Sequence, residues 1–208
     1  MKKTKEEAEA TRQKIMSAAL KIFKQKGFDA TRLQDIAKAT GFTRGAIYWH
    51  FKNKMDILKT LLEDMRKRIF DELQSFQDQE GSTIVKLTEL MRRTITAHTS
   101  DDRLQDLITV MISNYEVAEA LRKKYETDEF PEQFIGTISK LIQQGAEESA
   151  VRRDIAPVDI AWLAFFLFVG SIMANLKFPN QYPESVNTDK IVDCLMHGIL
   201  QEPVRTSV

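Results

Sequence analysis

Between residues 41 and 54 the chain reads GFTRGAIYWHFKNK, a stretch rich in groups that can read a polyanionic groove. Arg44 supplies a forked guanidinium and Thr43 a hydroxyl, both suited to base edges or phosphate oxygens. Gly45 and Ala46 carry little or no side chain, so the backbone can come close. Tyr48 and Trp49 each offer a flat apolar face plus one donor, able to touch thymine methyls or phosphates. His50 ends the run, and Lys54 sets a cation beside a helix N-terminus that already favours phosphate. Catalysis finds no comparable set. Recognisable Cys–His or Ser–His motifs and a phosphate-cradling glycine loop are missing from a chain with 8 glycines, so an enzyme is not expected. No cofactor is expected either, and His50, His98 and His197 are too scattered in sequence to suggest a metal site.

The elements that must hold these groups are helical. With Leu33 as the first position of a helix-turn-helix, Ala37 is fifth, Gly41 ninth and Ile47 fifteenth. Those positions need, in turn, a small residue for close helix approach, a residue tolerating positive φ, and an apolar residue facing inward. Ile36, Ala37, Phe42 and Ile47 then point into the unit. Thr43, Arg44, Tyr48, Trp49 and His50 remain outside. Tyr48 and Trp49 could instead be core, but Ile47 and Phe51 already occupy the inward stripe.

Upstream, Ile15, Ala18, Ala19, Ile22 and Phe23 repeat at helical spacing, predicting a helix from about Ala10 to Lys26 that stops at Gly27. Thr31 and Gln34 have the spacing of a capping box for the next helix, and Thr43 is the expected N-cap of the third. Asn53 caps a long fourth helix striped by Leu58, Leu61, Leu62, Met65, Ile69, Leu73 and Phe76, ending near Gly81. Further helices follow from Ser82/Thr83 and Ser100/Asp101. A tract from about Val117 to Ser149 should be split or kinked by Pro131. Pro157 suits the first turn of an all-apolar helix, and FPNQYPES separates it from a last helix near Thr188, striped by Ile191, Val192, Leu195, Ile199 and Leu200. The expected fold is all-α, with about nine helices and no sustained strand alternation.

Charge is unevenly spread. Through Arg68 there are seventeen Lys and Arg against eight Asp and Glu; beyond it there are thirteen against twenty-two, although the total of 30 against 30 is neutral. The N-terminal part is therefore expected to meet a polyanion. A single cysteine, Cys194, excludes an intramolecular disulfide and fits a reducing cytoplasm, and the charged opening MKKTKEEAEATRQK lacks the apolar core of an export signal. Ile160 to Leu176 is apolar almost all round. It falls just short of the roughly 18–20 residues that span a bilayer, so a protein-covered interface helix is expected and no membrane partner.

GFTRGAIYWHFKNK and the preceding TRQKIMSAALKIFKQKGFDATRLQDIAKATG resemble the DNA-binding signature and first two helices of the TetR family. TRGAIYWHF with the opening TKEEAEATR is similar to the AcrR-like branch that regulates multidrug efflux. The resemblance implies a TetR-type DNA-binding domain over residues 1–55 and an effector-binding and dimerisation domain over 56–208. It implies a homodimer on a near-palindromic double-stranded operator, with DNA contacts at Thr31, Arg32, Thr43, Arg44, Gly45, Tyr48, Trp49, His50 and Lys54. It assigns dimer contacts to the Ile160–Leu176 helix and the Ile191–Leu200 stripe. The function it implies is a ligand-responsive repressor of an efflux operon, or alternatively a regulator of a lipid or aromatic-compound operon.

Candidate effector contacts on the inner faces of the middle helices are Ile69, Met91, Ile95, Ile108, Met111, Ile112, Tyr115, Phe134, Ile138, Phe165, Phe168 and Ile172. Met and Phe make adaptable apolar linings, suited to a hydrophobic small molecule, although each residue could equally be ordinary core. His98, Asn114, Tyr115 and Glu116 are the candidate orienting groups.

Overall fold

The computed structural model describes residues 4–100, 102–114, 117, 119, 129–177 and 187–200. Among them lie nine helices: α1 Lys5–Lys26, α2 Leu33–Thr40, α3 Arg44–His50, α4 Lys54–Asp78, α5 Thr83–Ser100, α6 Asp102–Ile112, α7 Phe130–Glu147, α8 Pro157–Lys177 and α9 Thr188–Ile199. The only β pairing among the described residues is an isolated antiparallel bridge between Val151 and Leu200. Interior apolar residues at helical spacing, each helix needing cover for one stripe, produce this all-α outcome.

Contacts group the chain into two units, residues 1–67 with 102–127 and residues 68–101 with 128–208. The sequence reading put a division after residue 55, early in the fourth helix; contacts also divide within α4, between residues 67 and 68, and assign α6 to the first unit. Leu107 and Val110 of α6, with Val117 beyond it, are the reason: they are buried in the same cluster as Ile15, Met16, Phe23, Ile36, Ile47 and Phe51. Lys24 and Asp106 add an ion pair at 2.5 Å between α1 and α6. Ile57, Leu58, Leu61 and Leu62 of α4 complete that core, while Leu73 and Phe76 of the same helix belong to the core of the second unit.

Helix α1 begins five residues before the expected start. Thr4 accepts from the Glu7 N–H at 3.2 Å while the Glu7 carboxylate accepts from the Thr4 N–H at 3.0 Å, a reciprocal cap that extends the helix through a polar first turn. Pro131 falls in the first turn of α7, where its missing N–H costs nothing, so a helix starts there; most of the expected tract before it, residues 118 and 120–128, lies outside the described residues. The FPNQYPES segment lies outside the described residues, as do the side chains of Ile95, His98 and Ile112 and all of Tyr115 and Glu116.

In the second unit α8 packs on α5 and α7 through Ile160, Ala161 and Ala164. Its other side exposes Val158, Trp162, Leu163, Phe166, Val169 and Met173. By length and composition α8 is also apolar enough to cross a membrane. The stripe on α9 was expected to serve dimerisation; instead Val192, Met196 and Ile199 are buried in this unit's own core, with Ile191, Leu195 and Leu200 packed against it. Five apolar residues on a 12-residue helix cover its own core, and the outward side is left to Lys190, Asp193, Cys194 and His197.

Candidate nucleic-acid interface

Local rules place α3. Gly41 closes α2 at φ +71° and ψ 9°, a left-handed stop that only glycine adopts at little cost. Two residues later Thr43, in extended conformation, accepts the Ala46 N–H at 3.1 Å and starts α3. On the inward side Ile47 is completely buried, and Phe51, next to the helix end, is buried under the Arg12 guanidinium. That anchoring turns Tyr48 and Trp49 outward, 52% and 72% exposed. Arg44 and Gly45 are exposed at the N-terminus, and a Cβ added to Gly45 would meet only the Thr43 hydroxyl at 3.9 Å. His50 is half-buried with its ring edge-on to Trp49, the centroids 4.5 Å apart. Thr43, Arg44, Gly45, Tyr48, Trp49 and His50 thus share one short helix and its cap.

Three other expected contacts sit differently. Thr31 is 2% exposed and donates its hydroxyl to the Gly27 carbonyl at 2.7 Å, satisfying an acceptor left open at the end of α1; it is a buried structural residue rather than a surface contact. The cap of α2 is accordingly one residue later than expected. Arg32 is the N-cap, and the Asp35 carboxylate accepts the Arg32 N–H at 2.9 Å. Lys26, hydrogen-bonded at 2.8 Å, and then the Arg32 N–H hold the Asp35 carboxyl below its ordinary range. The Arg32 side chain remains exposed beside this cap. Lys54 was read as a phosphate contact, yet its ammonium donates to the carbonyls of Phe28 at 2.7 Å and Asp29 at 2.8 Å and lies over the Phe28 ring. Two of its three donors are spent inside the unit.

Sequence reasoning missed the groups that fix this scaffold. Asp35 is one; Asp56 is another, accepting the Lys52 N–H at 2.9 Å while its own N–H donates to Asn53 at 2.9 Å. Both could have been found from acidic residues three positions after a helix N-cap.

The effector candidates separate. Met91, Phe134 and Ile138 are buried in the second unit's core with Ile69 and Phe165 packed against them. The Phe134 ring centre lies 5.4 Å from that of Phe165 and 5.8 Å from that of Phe168, a three-ring cluster, and Ile172 is buried further along α8. Ile108 and Met111 lie instead on α6, in the first unit, with Met111 packed against that unit's core. Asn114, expected to orient an effector, is 8% exposed and occupied in the same unit, donating to Asp29 and accepting from the Val117 N–H. Among the described residues no group of three His, Cys, Asp or Glu is arranged to hold a metal.

Comparison with known proteins agrees with this layout. Residues 15–61 match bacterial regulatory proteins of the tetR family, and residues 84–195 match the tetracyclin repressor-like C-terminal domain. The chain is 37% identical over 116 residues to the HTH-type transcriptional regulator AcrR of Shigella flexneri, covering 55% of this chain and 54% of that protein, so the match spans about half of that relative. It is 30% identical over 152 residues to the HTH-type transcriptional regulator YfiR of Bacillus subtilis (strain 168), covering 71% of each. The crystal structure of NalD, the secondary repressor of the MexAB-OprM multidrug efflux pump in Pseudomonas aeruginosa, shares the fold with a TM-score of 0.70 at 22% identity, covering 95% of this chain and 100% of that one. With the capped helix α3 inside the first matched region and helices α6 to α8 inside the other, this chain belongs to the TetR family of bacterial regulatory proteins.

Proposed function

We propose that this protein is a homodimeric repressor of a multidrug efflux operon, released from a near-palindromic operator by a hydrophobic small molecule. The observation that carries the reading is the split character of α3, with Ile47 fully buried and the neighbouring Tyr48 and Trp49 turned to solvent. An apolar ring on a rigid, capped helix suits a groove wall far better than water. Thr43, Arg44 and Gly45 meet base edges or phosphates beside it, His50 closes the surface, and Arg32 contacts the backbone from the start of α2. The likeness of TRGAIYWHF to the AcrR-like branch supports an efflux operon, as does the description of NalD as a repressor of a multidrug efflux pump. Operator binding places the protein in the cytoplasm.

The exposed face of α8, with Trp162, Phe166, Val169 and Met173, is the surface that a second copy covers. The effector enters near Phe134, Phe165 and Phe168 in the same unit, bordered by Ile69, Met91, Ile138 and Ile172. Helix α4 carries the signal. Its C-terminal half is fastened by Arg93, which contacts Glu89 at 2.8 Å and Glu72 at 2.6 Å and lies over Phe76, and by Gln77, which donates to the Thr137 carbonyl at 2.9 Å. Glu89 first and Glu72 second raise the Arg93 pKa further, so this clamp stays charged at any physiological pH. A shift of α4 moves paired recognition helices off the roughly 34 Å spacing of successive grooves. A coupling of about 1–3 kcal/mol corresponds to a 5- to 150-fold change in operator affinity, and DNA lowers effector affinity by the same factor.

The test is retention of genomic fragments by purified protein, with Tyr48→Ala as control. A retained palindrome upstream of a transporter gene, lost in the control, supports the proposal. A palindrome beside a lipid or aromatic-compound operon moves the target to metabolism, and no retained sequence overturns operator binding. For the effector, thermal shifts should appear with apolar aromatic compounds; stabilisation by polar metabolites alone would overturn that part.

A further inference from the structure

The turn between α1 and α2 is held from two sides within the first unit. From α4, Lys54 donates to the carbonyls of Phe28 and Asp29. From just beyond α6, the Asn114 amide donates to the Asp29 carboxylate at 2.5 Å. The Asn114 carbonyl is fixed in turn by the Val117 N–H at 2.9 Å, so the buried amide has one orientation in which it can serve both partners. Asp29 lies three residues before Arg32, the N-cap of α2, and the Phe28 ring beneath it is packed on Phe23. This turn sets where α2 begins, and α2 in turn supports α3.

We infer that Asn114 is a positioning residue for DNA binding: its hydrogen bond to Asp29, with the Lys54 staple opposite, holds the α1–α2 turn in the DNA-competent arrangement. The inference rests on the reading of α3 as the operator-binding helix. It assigns Asn114 and Lys54 to one latch, and it makes the placement of α2 dependent on the end of α6. Asp29 and Asn114 lie 85 positions apart, joined by a charge-assisted hydrogen bond with the amide side buried.

The experiment uses the full chain and a duplex that the wild-type protein selects from a randomised library. Asn114→Asp keeps the acceptor for the Val117 N–H but sets a second carboxylate against Asp29. It should weaken binding to that duplex about tenfold, leave the salt dependence unchanged because no phosphate contact is removed, and speed hydrogen exchange at the amides of residues 28–33 while those of residues 15–23 stay protected. Combining Asn114→Asp with Asp29→Asn restores an amide–carboxylate pair with the roles exchanged. That double variant should recover both wild-type affinity and wild-type exchange. Wild-type exchange in Asn114→Asp, or a double variant no better than the single one, would overturn the latch. The exchange measurement needs no DNA, so a wild-type chain that selects no duplex would refute operator binding while the latch is still decided by exchange.

Discussion

Ile47 and Trp49 are two positions apart on a seven-residue helix, and replacing each by alanine should have opposite consequences. Trp49 keeps 72% of its surface exposed, so of the roughly 250 Å² a tryptophan can bury, about 70 Å² is covered in the folded chain. At about 25 cal/mol per Å² this contributes about 1.7 kcal/mol, of which the better helix propensity of alanine returns about 0.5 kcal/mol. The net cost to folding is about 1 kcal/mol, an upper bound since the unfolded chain also covers part of the ring. Ile47 is fully buried, and truncating such a side chain costs about 2–5 kcal/mol including the cavity left behind. In the proposed DNA complex the order should reverse. An aromatic anchor lost from the centre of an interface costs about 2 kcal/mol, or about 30-fold in affinity. The assay pairs thermal unfolding with titration of a wild-type-selected duplex at fixed salt. Trp49→Ala should melt close to wild type and bind about 30-fold more weakly; Ile47→Ala should melt well below both. If Trp49→Ala loses as much stability as Ile47→Ala, the ring is core. If it melts normally and binds normally, the outward side of α3 is not the interface.

Other perturbations probe the rest of the molecule. A Cβ on Gly145 would stand 2.7 Å from Val151 Cγ2 and 3.2 Å from Thr83 Cγ2, so Gly145→Ala should destabilise the second unit by about 1–3 kcal/mol; an unchanged denaturation midpoint would contradict that packing. Phe166, 62% exposed on α8, should become an obstacle to self-association as Phe166→Asp, shifting the mass measured by light scattering from dimer to monomer, whereas a persistent dimer would place the interface elsewhere. The Asp35 carboxyl is held low by Lys26 and the Arg32 N–H, so its contribution is complete above the unfolded aspartate value of about 3.9 and fades as pH falls through the lower folded value. The stability gap between wild type and Asp35→Asn should therefore be constant near neutrality and close in acid; a gap that persists at the acid end would assign the effect to something other than ionisation.

What could be read from the sequence was what neighbours in sequence decide. Gly41, Thr43 and Ile47 obey stop, cap and periodicity rules spanning a few residues, and the structure places all three accordingly. The cap of α2 was ambiguous at that range, because Thr31 with Gln34 and Arg32 with Asp35 both have capping spacing. The charged acceptor has the stronger bond to an N–H, and Thr31 is drawn away by the open Gly27 carbonyl. The start of α1 was missed for another reason: its first turn is polar, so hydrophobic periodicity cannot register it, although Thr4 and Glu7 had the capping-box spacing in view. The structural partners of Lys54 and Asn114 could not be read from the sequence because they lie 25 or more positions away, and long-range pairings leave no local trace.

The membership of α6 in the first unit follows from size. Helices α2 and α3 have 8 and 7 residues, too short to persist without tertiary cover, and a unit of α1 to α3 with the start of α4 has little interior. Leu107, Val110 and Val117 enlarge that interior, and the Lys24–Asp106 pair fixes the added helix against α1. Substitutions on α6 therefore carry two meanings. A Met111→Ala variant that loses operator binding in the absence of any effector reports on the packing that supports the DNA-binding helices, since Met111 packs on that core. Only a variant that binds DNA normally and fails to be released maps an effector contact. By that criterion Phe134, Phe165 and Phe168, in the other unit, are the positions at which an effector-binding defect can be separated from a folding defect of the DNA-binding head.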